Sequence, residues 1–397
     1  MRNLVLLGFQ VGERYFEHYS KGDAFPQVAA YKLESRLLTA LRSTGARVRT
    51  VASIAVSTYP RIKRIWFPSA RLQGAEGQTG RVLPLINLPL IKMAVRFFGS
   101  FFCLLRVSRR VDGICVYAAH SPNLLAAYLC SKIYRVPYYV YIPDLPSFMD
   151  VALKRSWLRT LLKKIDASLL NWLVVRAAGL MVISRPMVED VPAWNSRPYL
   201  VLEGIADASP EPQLEVADRK KTIFYAGGVN RAYGIEELVE GFLAAGVDYE
   251  LVICGRGDLE DYLGRIAAQH SSVRYLGFLP PSEVAVLQAQ AALLVLSRNP
   301  AEAFTRYSFP SKLLEYMSAG IPVLTTRLEG IPTEYFDYLN VIEGFSVDAV
   351  AQALVKFSSS DQGRLSAKAE LGKLWVLETK TSIAVGKRVI EFMESSK

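Results

Sequence analysis

The chain has 397 residues, enough for two domains with cores of their own, and about half of them (51%) are hydrophobic, the balance of a globular protein. Its charge is split: residues 1–205 hold 28 Lys and Arg against 12 Asp and Glu, a net of +16, and the remainder holds 19 against 25, a net of −6. The first half is therefore suited to an anionic partner and the second is not.

Three histidines, and four cysteines (Cys103, Cys115, Cys130, Cys254) without metal-ligand spacing, argue against a zinc site. The cysteines read as buried thiols in a reducing, cytoplasmic setting. Met1–Gly8 is too short and lacks the small-residue cleavage site of a signal peptide. No apolar run reaches the ~18 residues a spanning helix needs.

Asn3–Gly8 reads as a buried first strand, followed by a loop with Gly12. Val28–Ser43 has helical spacing and ends near Gly45; Arg47–Ile54 is the next strand. This is the opening of a parallel α/β domain. Residues 55–83 are loop-rich and basic, with Tyr59, Trp66 and Phe67 interleaved. Leu83–Arg110 is apolar with Lys92, Arg96, Arg106, Arg109 and Arg110 embedded. A second basic stretch, Lys154–Arg176, sets Arg155, Arg159, Lys163 and Lys164 beside Trp157, Leu158, Leu161 and Leu162. Such helices suit the surface of an anionic membrane, each cation contributing roughly 1 kcal/mol. The alternative is that they pack on a sheet with their cations merely solvated. No nucleic-acid motif accompanies them, so no nucleic-acid partner is expected.

Gly113–Tyr117 and Tyr138–Ile142 are further strands. His120 and Asp144 follow their carboxyl ends, where ligands of open parallel sheets collect. Asp144 is equally suited to capping a turn or helix. Leu180–Ser184 and Tyr199–Gly204 complete the first sheet. Residues 208–220 are Pro-rich and charged, the composition of a linker. Thr222–Gly234 followed by a helix from Ile235 gives strand, glycine turn and helix, the frame of a phosphate cradle, with Gly227-Gly228 at the turn. Glu250–Cys254, Val273–Phe278 and Leu293–Ser297 are strands. The Gly255-Arg-Gly-Asp-Leu-Glu260 run lacks the last glycine of a dinucleotide fingerprint, which argues against an oxidoreductase.

The run Arg306-Tyr-Ser-Phe-Pro-Ser-Lys-Leu-Leu-Glu-Tyr-Met-Ser-Ala-Gly320-Ile-Pro-Val-Leu-Thr325 carries the densest chemistry. Pro310 suits a first helical turn. The N–H groups of Ser311, Lys312 and Leu313 would then form an anion site, with the helix dipole and the Lys312 charge behind it. Glu315 lies one turn on, on the same face. Gly320 ends the helix, and Ile321–Thr325 reads as a buried strand. A nucleotide fits, with phosphates at the helix start and ribose on Glu315. The bland alternative is a solvated Lys312–Glu315 pair.

This run resembles the signature helix of the retaining group 1 (family 4) glycosyltransferases, in the Pro-Ser-Lys-Leu-x-Glu branch found in bacterial surface polysaccharide biosynthesis. The resemblance implies the GT-B fold: two facing Rossmann-like domains with parallel sheets and a C-terminal helix crossing back to the first. It sets the domains at 1–207 plus 379–397, for the acceptor, and 221–378, for the nucleotide-sugar. It also implies transfer from a nucleotide-diphosphate sugar without metal or other cofactor, and places His120 near the donor sugar. Arg231 and Lys312 would stabilise the departing diphosphate. Gly228, Gly277, Phe278, Tyr307, Ser311, Lys312, Leu313 and Glu315 would line the nucleotide-sugar site. Tyr307 stands where the common form of the family has a second Glu. Gly12 and Asp144 fall on the acceptor side. With the basic first half, the acceptor is expected to be a polyprenyl-pyrophosphate-linked glycan at the inner face of the cytoplasmic membrane, with the enzyme attached peripherally. Two competing readings use the same frame: a nucleotide-sugar epimerase, and a degenerate transferase serving as a membrane scaffold.

Overall fold

The computed structural model describes residues 2–23, 25–74, 78–145, 157–206 and 220–396. The proposed linker up to residue 219, together with Lys154 and Arg155 of the second basic stretch, lies outside them, as do the side chains of Leu158 and Arg159. The chain forms two compact units: residues 1–205 with 382–397, and residues 206–381.

The first unit contains β1 (Asn3–Gly8), β2 (Arg47–Ala52), β3 (Trp66–Phe67), β4 (Ala70–Gly74), β5 (Gln78–Val82), β6 (Leu85–Ile86), β7 (Gly113–Tyr117), β8 (Tyr138–Ile142), β9 (Gly179–Val182) and β10 (Tyr199–Val201). Eight of them form one sheet in the order β10-β9-β8-β7-β1-β2-β5-β4, parallel except for β4, and β3 pairs with β6 separately. The central strands are continuous apolar runs because helices cover both faces. The β4–β5 hairpin was not expected from the sequence; its polar residues (Arg71, Gln73, Thr79, Arg81) suit a sheet edge. The last helix, Ser382–Ser395, packs on the helix Val28–Ser43, and Tyr139 Oη donates to the Met393 carbonyl at 2.6 Å.

The second unit contains β11 (Lys220–Ala226), β12 (Glu250–Cys254), β13 (Val273–Tyr275), β14 (Ala291–Leu296), β15 (Val323–Thr326) and β16 (Asn340–Ile342) in one parallel sheet, ordered β13-β12-β11-β14-β15-β16. Relabelled from its first strand this is 3-2-1-4-5-6, the doubly wound Rossmann order. Its core joins Ile223, Leu251, Ile253, Leu293 and Val295 to the helices Ile235–Ala245 and Val347–Ser359.

Each sheet has a point where strand order reverses: between β1 and β7 in the first unit, and between β11 and β14 in the second. At such a switch point the loops diverge to opposite faces and leave a crevice. The crevice of the second unit is therefore flanked by the loop after Ala226 and the loop after Leu296, and that of the first by Phe9 and the residues before Ser121.

Candidate functional site

In the second unit the helix Ser311–Ser318 forms where expected, with Pro310 at its cap position rather than inside its first turn. Gly320 follows at φ 66°, and the next strand begins at Val323, two residues later than the sequence suggested. Tyr316 fixes the helix in place. Its fully buried hydroxyl accepts a hydrogen bond from the Ala226 N–H at 2.9 Å, at the last residue of β11. The second half of the helix is thus tied to the strand that leads into Gly227-Gly228.

The anion site is narrower than expected. The Leu313 N–H donates to the Pro310 carbonyl at 2.8 Å and its side chain is fully buried, so Leu313 has no group left for a ligand. The N–H groups of Ser311 and Lys312 stay open at the first turn, where helical N–H groups lack intrahelical partners. Lys312 Nζ meets Glu315 Oε1 at 2.7 Å, both partly exposed. Without ligand the pair thus has the form of a surface ion pair, worth at most about 1 kcal/mol and readily exchanged for a phosphate.

The glycine turn is laced to the loop after β12. The Val229 N–H donates to the Arg256 carbonyl at 3.0 Å, and the Arg231 N–H to Asp258 Oδ1 at 3.0 Å. Gly255, at φ 144°, approaches so closely that a Cβ there would lie 1.6 Å from the Gly227 carbonyl oxygen. Gly228 lies against the Tyr233 ring, and its carbonyl accepts from Tyr225 Oη at 2.8 Å. Arg231 is well exposed and its guanidinium pairs with Glu236. Phe278, 64% exposed, follows Gly277 at φ 63° and carries the Arg256 guanidinium over its ring at 5.3 Å, an open stacking surface at the sheet edge. Tyr307 ends the short helix Ala303–Arg306, on the loop flanking the other side of the crevice.

In the first unit, His120 caps the helix Ser121–Tyr134 at the switch point, its ring edge-on to Phe9 at 5.4 Å. Arg96 Nη1 lies 3.4 Å from His120 Nε2. A guanidinium can only donate, so Nε2 accepts and the ring proton sits on Nδ1. Nδ1 is buried and has no partner among the described residues. Burial, then the nearby Arg96 and Lys92 charges, pushes His120 well below its ordinary value, so the imidazole is neutral at physiological pH. Gly12, at φ 84°, precedes the helix Glu13–Ser20 and donates its N–H to Gln10 Oε1 at 2.9 Å. Asp144 is exposed two residues beyond β8.

Three groups at this end of the sheet were not anticipated. Lys92 and Arg96, read from the sequence as cations facing either a membrane or solvent, are instead buried, 6% and 7% exposed. Lys92 Nζ donates to the Val56 carbonyl at 2.6 Å and to Thr58 Oγ1 at 3.2 Å; Arg96 Nη2 donates to the Ile54 carbonyl at 2.5 Å. Burial, then Arg96, lowers Lys92 to about 7. Glu34, fully buried, accepts the Phe9 N–H at 2.9 and 3.0 Å and is pushed up by burial to about 8. The signal was in the spacing. Lys92, Arg96, Ser100, Cys103 and Leu104 share one buried face of the helix Ile91–Val107, and Glu34, Leu37, Leu38 and Leu41 share one of the helix Val28–Ser43.

All four cysteines are free and buried. Among the described residues no group of three or more His, Cys, Asp or Glu is placed to hold a metal, and no helix is long and apolar enough to cross a membrane.

The fold these units define is GT-B. The chain resembles sucrose-phosphate synthase from Thermosynechococcus elongatus (13% identity, TM-score 0.66, covering 100% of this chain and 99% of the other) and Anabaena HepE in complex with UDP (13%, 0.61, 100% of both). It also resembles WaaG, a glycosyltransferase involved in lipopolysaccharide biosynthesis (15%, 0.57, 99% of both). At these identities the likeness speaks for the fold alone. Residues 209–370, within the second unit, match the family model of the glycosyl transferases group 1. No curated protein sequence matches the chain.

Proposed function

We propose that the protein is a retaining, family 4 glycosyltransferase that moves a sugar from a nucleotide-diphosphate donor to a lipid-linked glycan at an anionic membrane, without metal. The observation that carries this reading is the helix that starts at Ser311 and Lys312, tethered through Tyr316 to the strand entering the glycine turn, within the residues that match the group 1 family model. The diphosphate would take the Ser311 and Lys312 N–H groups, Lys312 Nζ and Arg231. Two weak ion pairs, Lys312–Glu315 and Arg231–Glu236, would open to release these cations. Glu315, freed of Lys312, would accept from the ribose hydroxyls, and Phe278 would stack on the base.

Retention calls for the leaving diphosphate to take the acceptor's proton on the face it departs from. What the chain must then supply is stabilised leaving-group charge, and convergent N–H groups and cations provide it. His120 would stand beside the sugar as a neutral ring at the switch point of the first sheet, adding no charge there. The membrane part of the reading is supported by the positive first half and by the exposed face of the helix Trp157–Val174, where Trp157, Leu161 and Ile165 lie near Lys163 and Lys164.

The test is a thermal-shift screen of UDP-, GDP-, dTDP- and ADP-sugars. One donor should raise the melting temperature, and Glu315→Ala should abolish the rise. Slow donor hydrolysis releasing a sugar of unchanged anomeric configuration would support transfer with retention. Isomerised donor without acceptor, or no shift with any donor, would overturn the reading.

A further inference from the structure

At the end of the first sheet opposite His120 the structure holds a cavity of about 890 Å³, beside Asn3 of β1 and Arg47 of β2. Six arginines line it: Arg42, Arg47, Arg49, Arg106, Arg109 and Arg110; among the described residues no carboxylate does, the neighbouring Asp112 being engaged by the Asn3 N–H, which its Oδ2 accepts at 2.8 Å. All but Arg42 are exposed, and no described carboxylate forms an ion pair with any of the six. Arg106 also lines a second hollow of about 540 Å³, whose walls include Leu83, Val95, Phe98 and Phe102. Phe98 and Phe102 are 53% and 54% exposed. A cationic pit and an apolar groove thus lie side by side, with the Arg106 side chain in the wall of both.

Like-charged guanidiniums without counter-charges repel one another, and a polyanion removes that repulsion. Guanidinium forks match phosphate oxygens bidentately. An apolar groove beside the pit favours an anion that carries a hydrocarbon chain. We infer that this pit and groove bind a membrane lipid with a phosphate head group, the head among the arginines and the chain along Phe98 and Phe102. A six-residue strand such as β1 spans roughly 17–20 Å, so the pit stands about that far from the His120 end. The bound lipid is an anchor and not the acceptor undergoing transfer. The inference rests on the membrane contact proposed above and gives it an address.

The test is co-sedimentation of the full chain with phosphatidylcholine vesicles doped with phosphatidic acid, in parallel with plain phosphatidylcholine vesicles, soluble pyrophosphate and a short RNA. The doped vesicles should capture the protein. Arg47→Gln with Arg109→Gln should weaken capture roughly tenfold or more, at about 1 kcal/mol per cation. Arg109→Lys with Arg110→Lys, which keeps the charge but loses the fork, should weaken it less, and Phe98→Ser should weaken it without changing the salt dependence. Circular dichroism and the donor-induced melting shift of the second unit should be unchanged in every variant. Capture unaffected by the arginine variants would overturn the pit while leaving membrane contact standing. No capture of wild type by any vesicle would overturn both and leave the nucleotide reading intact. RNA or pyrophosphate binding that depends on the same arginines, with no vesicle capture, would overturn the lipid assignment.

Discussion

Replacing Lys92 by Met should make the first unit more stable. Burial and the Arg96 charge lower the amine from 10.5 to about 7, with Asp23 offsetting only part. At ~1.36 kcal/mol per tenfold change in proton affinity, keeping the charge costs roughly 4–5 kcal/mol below pH 7. Methionine has a similar length and no charge to desolvate. It loses the bonds to the Val56 carbonyl and Thr58 Oγ1, and leaving such groups unpaired costs about 1–3 kcal/mol. The net expectation is a gain of roughly 2–3 kcal/mol at or below neutral pH, on the order of 5–10 °C in melting temperature for a unit of this size. The sign with pH follows from linkage. Because the folded value lies below the unfolded one, the unfolded chain holds more protons between about 7 and 10.5, and wild-type stability rises across that window. The advantage of Lys92→Met should therefore be largest below pH 7 and close towards pH 10.5. Denaturant melts of both proteins across that range, followed by fluorescence, measure it. A variant less stable than wild type at pH 7, or an advantage that does not change with pH, would refute the reasoning.

Arg96→Leu should raise His120 towards its ordinary value, as the Nε2 donor and a nearby charge go together; ring proton shifts in an NMR titration report it, and an unmoved titration would count against the assigned tautomer. His120 binds its proton less readily folded than unfolded, so wild type should lose stability as pH falls below about 6.5. Tyr316→Phe leaves the Ala226 N–H unpaired in the core, so it should destabilise the second unit by about 1–3 kcal/mol in denaturant melts and weaken the donor-induced shift. Gly255→Ala cannot be accommodated against the Gly227 carbonyl, and its purified second-unit melting transition should fall by more than that of Gly264→Ala, where the added methyl meets nothing within 4 Å.

The parallel strands were legible because burial on both faces leaves runs such as Leu4–Leu7, Tyr138–Ile142 and Leu251–Cys254 with no polar break. The helix start at Ser311 was legible because Pro, Ser, Lys and Gly each mark a backbone position there. The β4–β5 hairpin was not, since an edge strand needs no apolar alternation and Arg71, Gln73 and Arg81 read as loop. Nor was the direction of Lys92 and Arg96: a cation in an apolar helix usually marks the wet face, and only the position of Ser100, Cys103 and Leu104 on the same side shows the reverse. That the Leu313 N–H was already taken depended on a tightened first turn that no residue type announces.

The first unit is interrupted in the chain: it stops at Ile205 and is completed only by Ser382–Lys397. Gly386, so close to the Ala40 carbonyl that a methyl would collide with it, sits where the returning helix closes that unit. During synthesis the continuous segment 206–381 emerges whole before its partner's last helix exists. The inserted unit is free to mature first, and the basic unit is finished only after its last helix has emerged. A chain cut short after Thr381 would keep the second unit intact and present the bare side of the helix Val28–Ser43 to chaperones and proteases.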